Sequence, residues 1–128
     1  MRRYLLDTHS LIWWHEDDER LSPEAKNKIE DRSNKLHVSI VSFWELIIKL
    51  TIGKIKLKYS IEELAKTCLD SDIEIVPVRF YHLNQLSLLP LFHRDPFDRM
   101  LVSVAYSDNM TLISKDNQLA AYKIKVFW

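Results

Sequence analysis

Short apolar runs and amphipathic stretches alternate along the 128 residues of the chain. Tyr4-Leu5-Leu6 reads as a buried strand that stops at Asp7, since a brief apolar run ended by a polar residue suits a strand covered on both faces. Ser10-Leu11-Ile12-Trp13-Trp14 follows, and after it the acidic cluster Glu16-Asp17-Asp18-Glu19. Ser22-Pro23-Glu24 opens a helix, with Ser22 as N-cap and Pro23 at the first helical position. Leu36 to Ile40 reads as a second strand. Ser42 is expected to cap a helix whose apolar residues Phe43, Leu46, Ile47 and Leu50 recur at helical spacing, and Gly53 sits where a C-terminal cap belongs. Ser60 caps the next helix, with Glu63 three residues on and Leu64, Ala65, Cys68 and Leu69 turned inward. A third strand is expected from Ile73 to Val78, and a short helix over 80–89. Asp95 caps and Pro96 starts a helix with Phe97, Leu101, Val104 and Ala105 on one face. Thr111-Leu112-Ile113 is a fourth strand ending at Ser114-Lys115-Asp116, and Val126-Phe127 a fifth. Strands separated by helices imply right-handed crossovers and a mainly parallel sheet covered on both faces. The expectation is one compact α/β domain over 1–128, without repeat or linker.

Composition narrows the chemistry. Apolar residues make up 47% and charged residues 28%, the balance of an ordinary globular chain. There is one glycine, Gly53, which excludes phosphate loops and dinucleotide fingerprints because both need several glycines close together. One cysteine, Cys68, excludes an intrachain disulfide and a cysteine-rich zinc site. Carboxylates, histidines and hydroxyls remain as reactive groups. The apolar run after Met1-Arg2-Arg3 is broken by Asp7 and His9 and lacks a cleavage pattern, so no secretory signal is expected. No apolar run reaches membrane-spanning length. A cytoplasmic location is the resulting expectation.

Four acids hold similar places in this layout. Asp7 follows the first strand and Asp116 the fourth, while Glu45 and Asp98 fall in the first turns of the helices expected at Ser42 and Pro96. In open α/β sheets the ligand crevice lies beyond the carboxyl ends of the strands, where such side chains converge. Convergent carboxylates repel one another unless a cation lies between them, and hard oxygen ligands select Mg²⁺ or Mn²⁺. Each acid also has a purely structural explanation. Ser42-x-x-Glu45 is a capping-box pattern, Asp98 suits the helix dipole behind the Asp95 cap, Asp116 suits the cap of a last short helix, and Asp7 a turn. Asp7 fits such a role least well, because it is flanked by Leu5-Leu6 and Leu11-Ile12, and a buried carboxylate needs a partner.

Other groups are secondary candidates. His93 and Arg94 precede the Pro96 helix and could touch a phosphate, or simply occupy an exposed loop. Arg99 could pair with a site acid; Thr8 and Ser114 could orient one; His9 lies two residues past Asp7. Lys49, Lys54, Lys56 and Lys58 form a basic stretch with no acid between Leu46 and Ile61, either a solvated face or a phosphate-backbone track. Trp13, Trp14 and Trp44 suit core or interface better than base stacking.

Taken together these segments resemble the PIN-domain proteins, and within them the VapC-like toxins of type II toxin–antitoxin systems. The likeness runs through Tyr4-Leu5-Leu6-Asp7-Thr8-His9-Ser10-Leu11-Ile12-Trp13-Trp14 and Val41-Ser42-Phe43-Trp44-Glu45-Leu46, with Lys49 and Gly53-Lys54. It continues in His93-Arg94-Asp95-Pro96-Phe97-Asp98-Arg99-Met100-Leu101 and Leu112-Ile113-Ser114-Lys115-Asp116. The resemblance implies a three-layer α/β/α fold with a short parallel sheet and an Mg²⁺- or Mn²⁺-dependent ribonuclease. By position it implies Asp7, Glu45, Asp98 and Asp116 as metal-site and catalytic acids. It also implies RNA as substrate, a cognate antitoxin protein as partner and a homodimer, with no membrane association. Ser114-Lys115-Asp116 departs from the more usual threonine-containing form, and its lysine could lower local metal affinity or salt-bridge Asp116 away from the site.

Two other readings stay open. An aspartate-nucleophile phosphatase of the haloacid-dehalogenase kind also begins with a strand-end Asp, but it wants a second Asp where this chain has His9. A non-catalytic protein-binding module would use the acids only as caps. Eighteen basic residues balance eighteen acidic ones, which taken alone disfavours a polyanion partner. With the four site acids neutralised by cations, however, the remaining chain carries fourteen acids against eighteen bases.

Overall fold

The computed structural model describes residues 2–128. Its strands are β1 (Arg3–Leu6), β2 (Lys35–Ser39), β3 (Ile73–Val76), β4 (Thr111–Ile113) and β5 (Val126–Phe127). The helices are α1 (Thr8–His15), α2 (Pro23–Glu30), α3 (Ile40–Thr51), α4 (Ile61–Asp70), α5 (Phe80–Leu88) and α6 (Pro96–Ser107), followed by a 3₁₀ helix over Asn117–Tyr122. The strands form one sheet in the order β3-β2-β1-β4-β5, and every neighbouring pair is parallel. Tyr4 lies opposite Leu36 on one side and Thr111 on the other. The chain therefore winds outward from β1 to β3, returns to the far side of β1 and ends on β5. Its switch point lies between β1 and β4.

Strand alternation sorts the core into two layers, because successive side chains leave opposite faces of the sheet. Tyr4, Leu6, Leu36, Val38, Ile73 and Ile113 pack with Leu11, Ala25, Phe43 and Leu64 from α1 to α4. Leu5 and Leu112 point the other way, onto Leu101, Val102, Val104 and Ala105 of α6 and Leu119 of the 3₁₀ helix. Helices thus cover both faces, giving the three-layer α/β/α arrangement. Each fully buried leucine stabilises it by about 1.5–3 kcal/mol relative to exposure.

Capping side chains fix where the helices begin. Ser22, Ser60 and Asp95 accept hydrogen bonds from the backbone N–H groups of Ala25, Glu63 and Phe97, as their positions predict. Gly53, at φ +76°, follows the end of α3 in the left-handed conformation that favours glycine. The beginning of α3 departs from expectation. Ser39, not Ser42, is its cap and accepts from the Val41 N–H, so Ile40 opens the helix instead of closing β2. The capping box does not form, and Glu45 falls one turn further in. Within the amphipathic helices, Ile47 and Leu69 lie outward, 48% and 61% exposed, because the buried stripes run through Phe43 and Leu46 and through Leu64 and Cys68. The third strand ends at Val76, since Pro77 has no N–H to continue the ladder. Residues 8–15, which the apolar pattern leaves unassigned, form a helix capped by Asp7.

Candidate active site

The switch point places three chain segments against one another. The backbone N–H of Asp7 donates to the Ile113 carbonyl at 3.1 Å, and the Ser10 hydroxyl donates to the same oxygen, so the ends of β1 and β4 are pinned together. The start of α6 completes the group. Asp7, Glu45, Asp98 and Asp116 all line one cleft of about 320 Å³, together with Thr8 and Lys49. His9, Trp13, Asp95, Ser114 and Lys115 complete its walls.

The structure reconciles capping with convergence, because a carboxylate has two oxygens. Asp7 caps α1 through Oδ1, which accepts the Ser10 N–H at 2.8 Å; its Oδ2 has no protein donor among the described residues. Asp116 caps the 3₁₀ helix through Oδ1, accepting from the Gln118 N–H at 3.1 Å, while Oδ2 faces His93. Ser114 supports this loop by accepting the Asp116 N–H on its hydroxyl. Capping α6 falls to Asp95, whose Oδ1 accepts the N–H groups of Phe97 and Asp98, and this leaves the Asp98 side chain free of that duty.

His93 Nε2 lies 3.7 Å from Asp98 Oδ2 and 3.4 Å from Asp116 Oδ2. One ligand atom from each of the three falls within 4.8 Å of the others. The Asp95 N–H points to His93 Nδ1 at 3.3 Å, which places the ring hydrogen on Nε2. The imidazole therefore turns its N–H edge toward the two acids, beyond hydrogen-bond distance of Asp98. Burial, with the like charges of Asp95, Asp7 and Glu45 and against the partial relief from His93, pushes the Asp98 pKa up to about 6.

Glu45 has different surroundings. It is buried at 5% exposure, and both oxygens are engaged: the Thr8 hydroxyl donates to Oε1 at 2.7 Å and Lys49 Nζ to Oε2 at 2.6 Å. Thr8 also lies 3.0 Å from the Ser42 hydroxyl. The i,i+4 spacing of Glu45 and Lys49 was the legible sign of this pair once α3 was placed; the bond from Thr8, 37 residues away, has no local signal.

Other candidates separate. Arg99 takes no part in the cleft: its Nη1 donates to the Pro90 carbonyl at 2.8 Å and to the Tyr122 hydroxyl at 3.2 Å, fastening the loop before α6 to the 3₁₀ helix. Lys115 lines the cleft but forms no ion pair with Asp116 among the described residues; His93 occupies that side instead. Arg94 is exposed. His9 stacks on Trp13 with centroids 5.4 Å apart. Trp14 joins the core, whereas Trp44 is 59% exposed and meets Phe97 edge-on at 5.2 Å.

A parallel sheet with helices on both faces and carboxylates gathered at its switch point defines a small α/β domain with an acidic centre. The PIN domain family model matches residues 4–125, and the chain belongs to that family. It is 28% identical over 130 residues to Ribonuclease VapC22 of Mycobacterium tuberculosis, covering 96% of this chain and 94% of that one. The fold is shared with VapBC2 from Rickettsia felis bound to a DNA fragment from its promoter, at a TM-score of 0.74 and 17% identity over 98% of this chain and 97% of that one. DNA-bound VapBC from Salmonella typhimurium is similar at a TM-score of 0.68 and 15% identity, covering 99% and 98% of the two chains.

Proposed function

We propose that the protein is a ribonuclease that hydrolyses RNA phosphodiester bonds with a divalent cation, and that it is the toxin of a toxin–antitoxin pair. The observation that carries this reading is the cleft itself: Asp7, Asp98 and Asp116 line it together, and burial, with the like charges of Asp95, Asp7 and Glu45, raises the Asp98 pKa. The donor set suits a hard ion, Mg²⁺ or Mn²⁺, because carboxylates dominate it, with the His93 imidazole beside Asp98 and Asp116 and no thiolate near. Asp7 Oδ2, Asp98 and Asp116 Oδ2 would hold it. When bound, such an ion supplies the Lewis acidity that acidifies the attacking water and offsets charge on the phosphoryl oxygens. The chain's own groups prepare the site. The Asp7 and Asp116 caps fix each carboxylate by one oxygen and leave the other to bind. His93 Nε2 faces the Asp98 and Asp116 carboxylates, and Thr8 holds Glu45.

The ribonuclease relative supports RNA as the substrate, and the VapBC assemblies of the same fold support a cognate antitoxin protein as partner. A homodimer belongs to the same reading; the outward stripe of Ile40, Trp44 and Ile47 on α3 is apolar surface available to such partners. No helix among the described residues is long and apolar enough to cross a membrane, in keeping with a proposed cytoplasmic location. A phosphatase with an aspartyl nucleophile is disfavoured by His9, which stacks on Trp13 where a second acid would be needed. The test is incubation of the purified protein with total RNA and Mn²⁺, followed by sequencing of the fragments. Defined cuts that vanish in EDTA and with Asp7→Asn are expected; cuts that persist in either would overturn the proposal.

A further inference from the structure

The acidic cleft does not end at its own walls. Thr8, His9, Trp13 and Lys49 also line a neighbouring groove, which continues past Ile55 and Lys56. Glu16 and Lys56 are shared in turn with a third depression that contains Lys58 and Tyr59. A continuous path therefore leads from the carboxylates across Lys49 to Lys56 and Lys58.

The segment that lines this path has a clear side-chain register. Ile55, Leu57 and Tyr59 are partly buried, whereas Lys54, Lys56 and Lys58 between them are exposed. The alternation presents the three lysines to solvent while their neighbours turn inward. The apolar residues anchor the segment: Ile55 and Tyr59 pack against the core. No acid lies between Leu46 and Ile61. The acid facing the path from α1's end is Glu16, whose Oε2 accepts the Tyr59 hydroxyl at 2.7 Å. Arg20, the other cation on the groove, is fastened to Asp18 and lies over the Trp13 ring.

Lys49 is set apart by where it is held. Its ammonium is fixed at 2.6 Å from Glu45 Oε2, and Glu45 is itself held by Thr8. One of three N–H donors is used in this way, on a side chain 29% exposed at the junction of the cleft and the groove. A cation placed beside an acidic centre and pre-ordered by a buried carboxylate suits the phosphate adjoining the one under attack.

Building on the ribonuclease reading, we propose that Lys49, Lys56 and Lys58 form a backbone track that carries single-stranded RNA away from the acidic cleft. Lys49 takes the phosphate next to the cleft, and the other two take those beyond it. The track reads no bases, so it sets affinity and the direction of the strand and leaves sequence preference to other contacts.

The test is binding of a fluorescent mixed-sequence oligoribonucleotide to the Asp98→Asn protein in EDTA, measured by anisotropy across a series of KCl concentrations. Each phosphate contact on a single strand contributes about 0.7 to the slope of log Kd against log salt. Lys56→Met with Lys58→Met is expected to lower that slope by about 1.4, Lys49→Met by about 0.7, and Lys49→Arg to restore it. Lys66→Met on α4, paired with Asp70 away from the path, is expected to leave the slope unchanged. The exposed Lys56 and Lys58 can be replaced without touching the core, so the double variant decides the matter even if Lys49→Met unfolds. Unchanged slopes, in a protein whose wild type cleaves RNA, would assign these lysines to solvent or to an acidic protein partner and overturn the track alone. Absence of both binding and cleavage would overturn the track together with the ribonuclease reading.

Discussion

Replacing Asp98 by asparagine is expected to stabilise the protein at neutral pH while removing its activity. The ordinary pKa of this carboxyl is near 3.8, and burial among like charges pushes it up to about 6. A displacement of about two units corresponds to ~3 kcal/mol between the two protonation states. The side chain is 32% exposed, and solvent screening reduces the realised cost to about 1–3 kcal/mol. The direction follows from proton binding. Between pH 4 and 6 folded Asp98 keeps a proton that the unfolded chain has released, so the folded state binds more protons there and stability falls as pH rises. Below about pH 4 this cost is absent, and above about pH 6 it is present in full. Asparagine keeps the shape without the charge, and among the described residues no donor closer than His93 at 3.7 Å is left behind. For a chain of this length 1 kcal/mol moves Tm by about 4 °C, so a gain of roughly 4–12 °C is expected at pH 7.5 in EDTA. The assay is thermal melting of both proteins at pH 7.5 and pH 4.5, with and without Mn²⁺. The gain is expected to shrink at pH 4.5. With saturating Mn²⁺ it is expected to shrink or reverse, because the ion stabilises a wild-type site that binds it. A lower Tm for Asp98→Asn at pH 7.5 in EDTA, or a difference independent of pH, would refute the reasoning.

Two further substitutions separate structure from site. Arg99→Met removes the bonds to the Pro90 carbonyl and the Tyr122 hydroxyl, and is expected to cost about 1–3 kcal/mol in denaturant unfolding while leaving Mn²⁺ affinity unchanged. Gly53→Ala meets no atom within 4 Å but is strained at φ +76°; a loss of about 1 kcal/mol in the same assay is expected, with cleavage intact.

Much of the fold was legible because local and tertiary signals agree. Ser22-Pro23, Ser60 and Asp95-Pro96 cap helices where the sequence says they should, and the short apolar runs at β1 and β4 are buried on both faces. The errors fall where two local signals compete. Ser39 and Ser42 both precede apolar helical residues, and only the end of the β2 ladder decides that Ser39 turns the chain. At the site, the sequence order locates Asp7, Asp98 and Asp116 at one end of the sheet. It does not reveal that the two oxygens of Asp7 and of Asp116 divide between tasks, since that depends on the loop geometry of Asp7-Thr8-His9-Ser10 and of Ser114 to Gln118. Arg99 shows the opposite failure. Its place beside Asp98 in sequence suggests the cleft, but helical rotation carries its side chain about 100° away, to the Tyr122 hydroxyl.

The proposed function requires the carboxylates at the switch point to hold a divalent cation. Titration calorimetry of Mn²⁺ into the RNA-free protein tests it most directly. The wild type is expected to bind, Asp7→Asn and Asp98→Asn to weaken binding by about tenfold or more, and Asp31→Asn, on a surface acid outside the cleft, to bind as the wild type does. No binding by the wild type, or equal binding by all four proteins, would contradict the account.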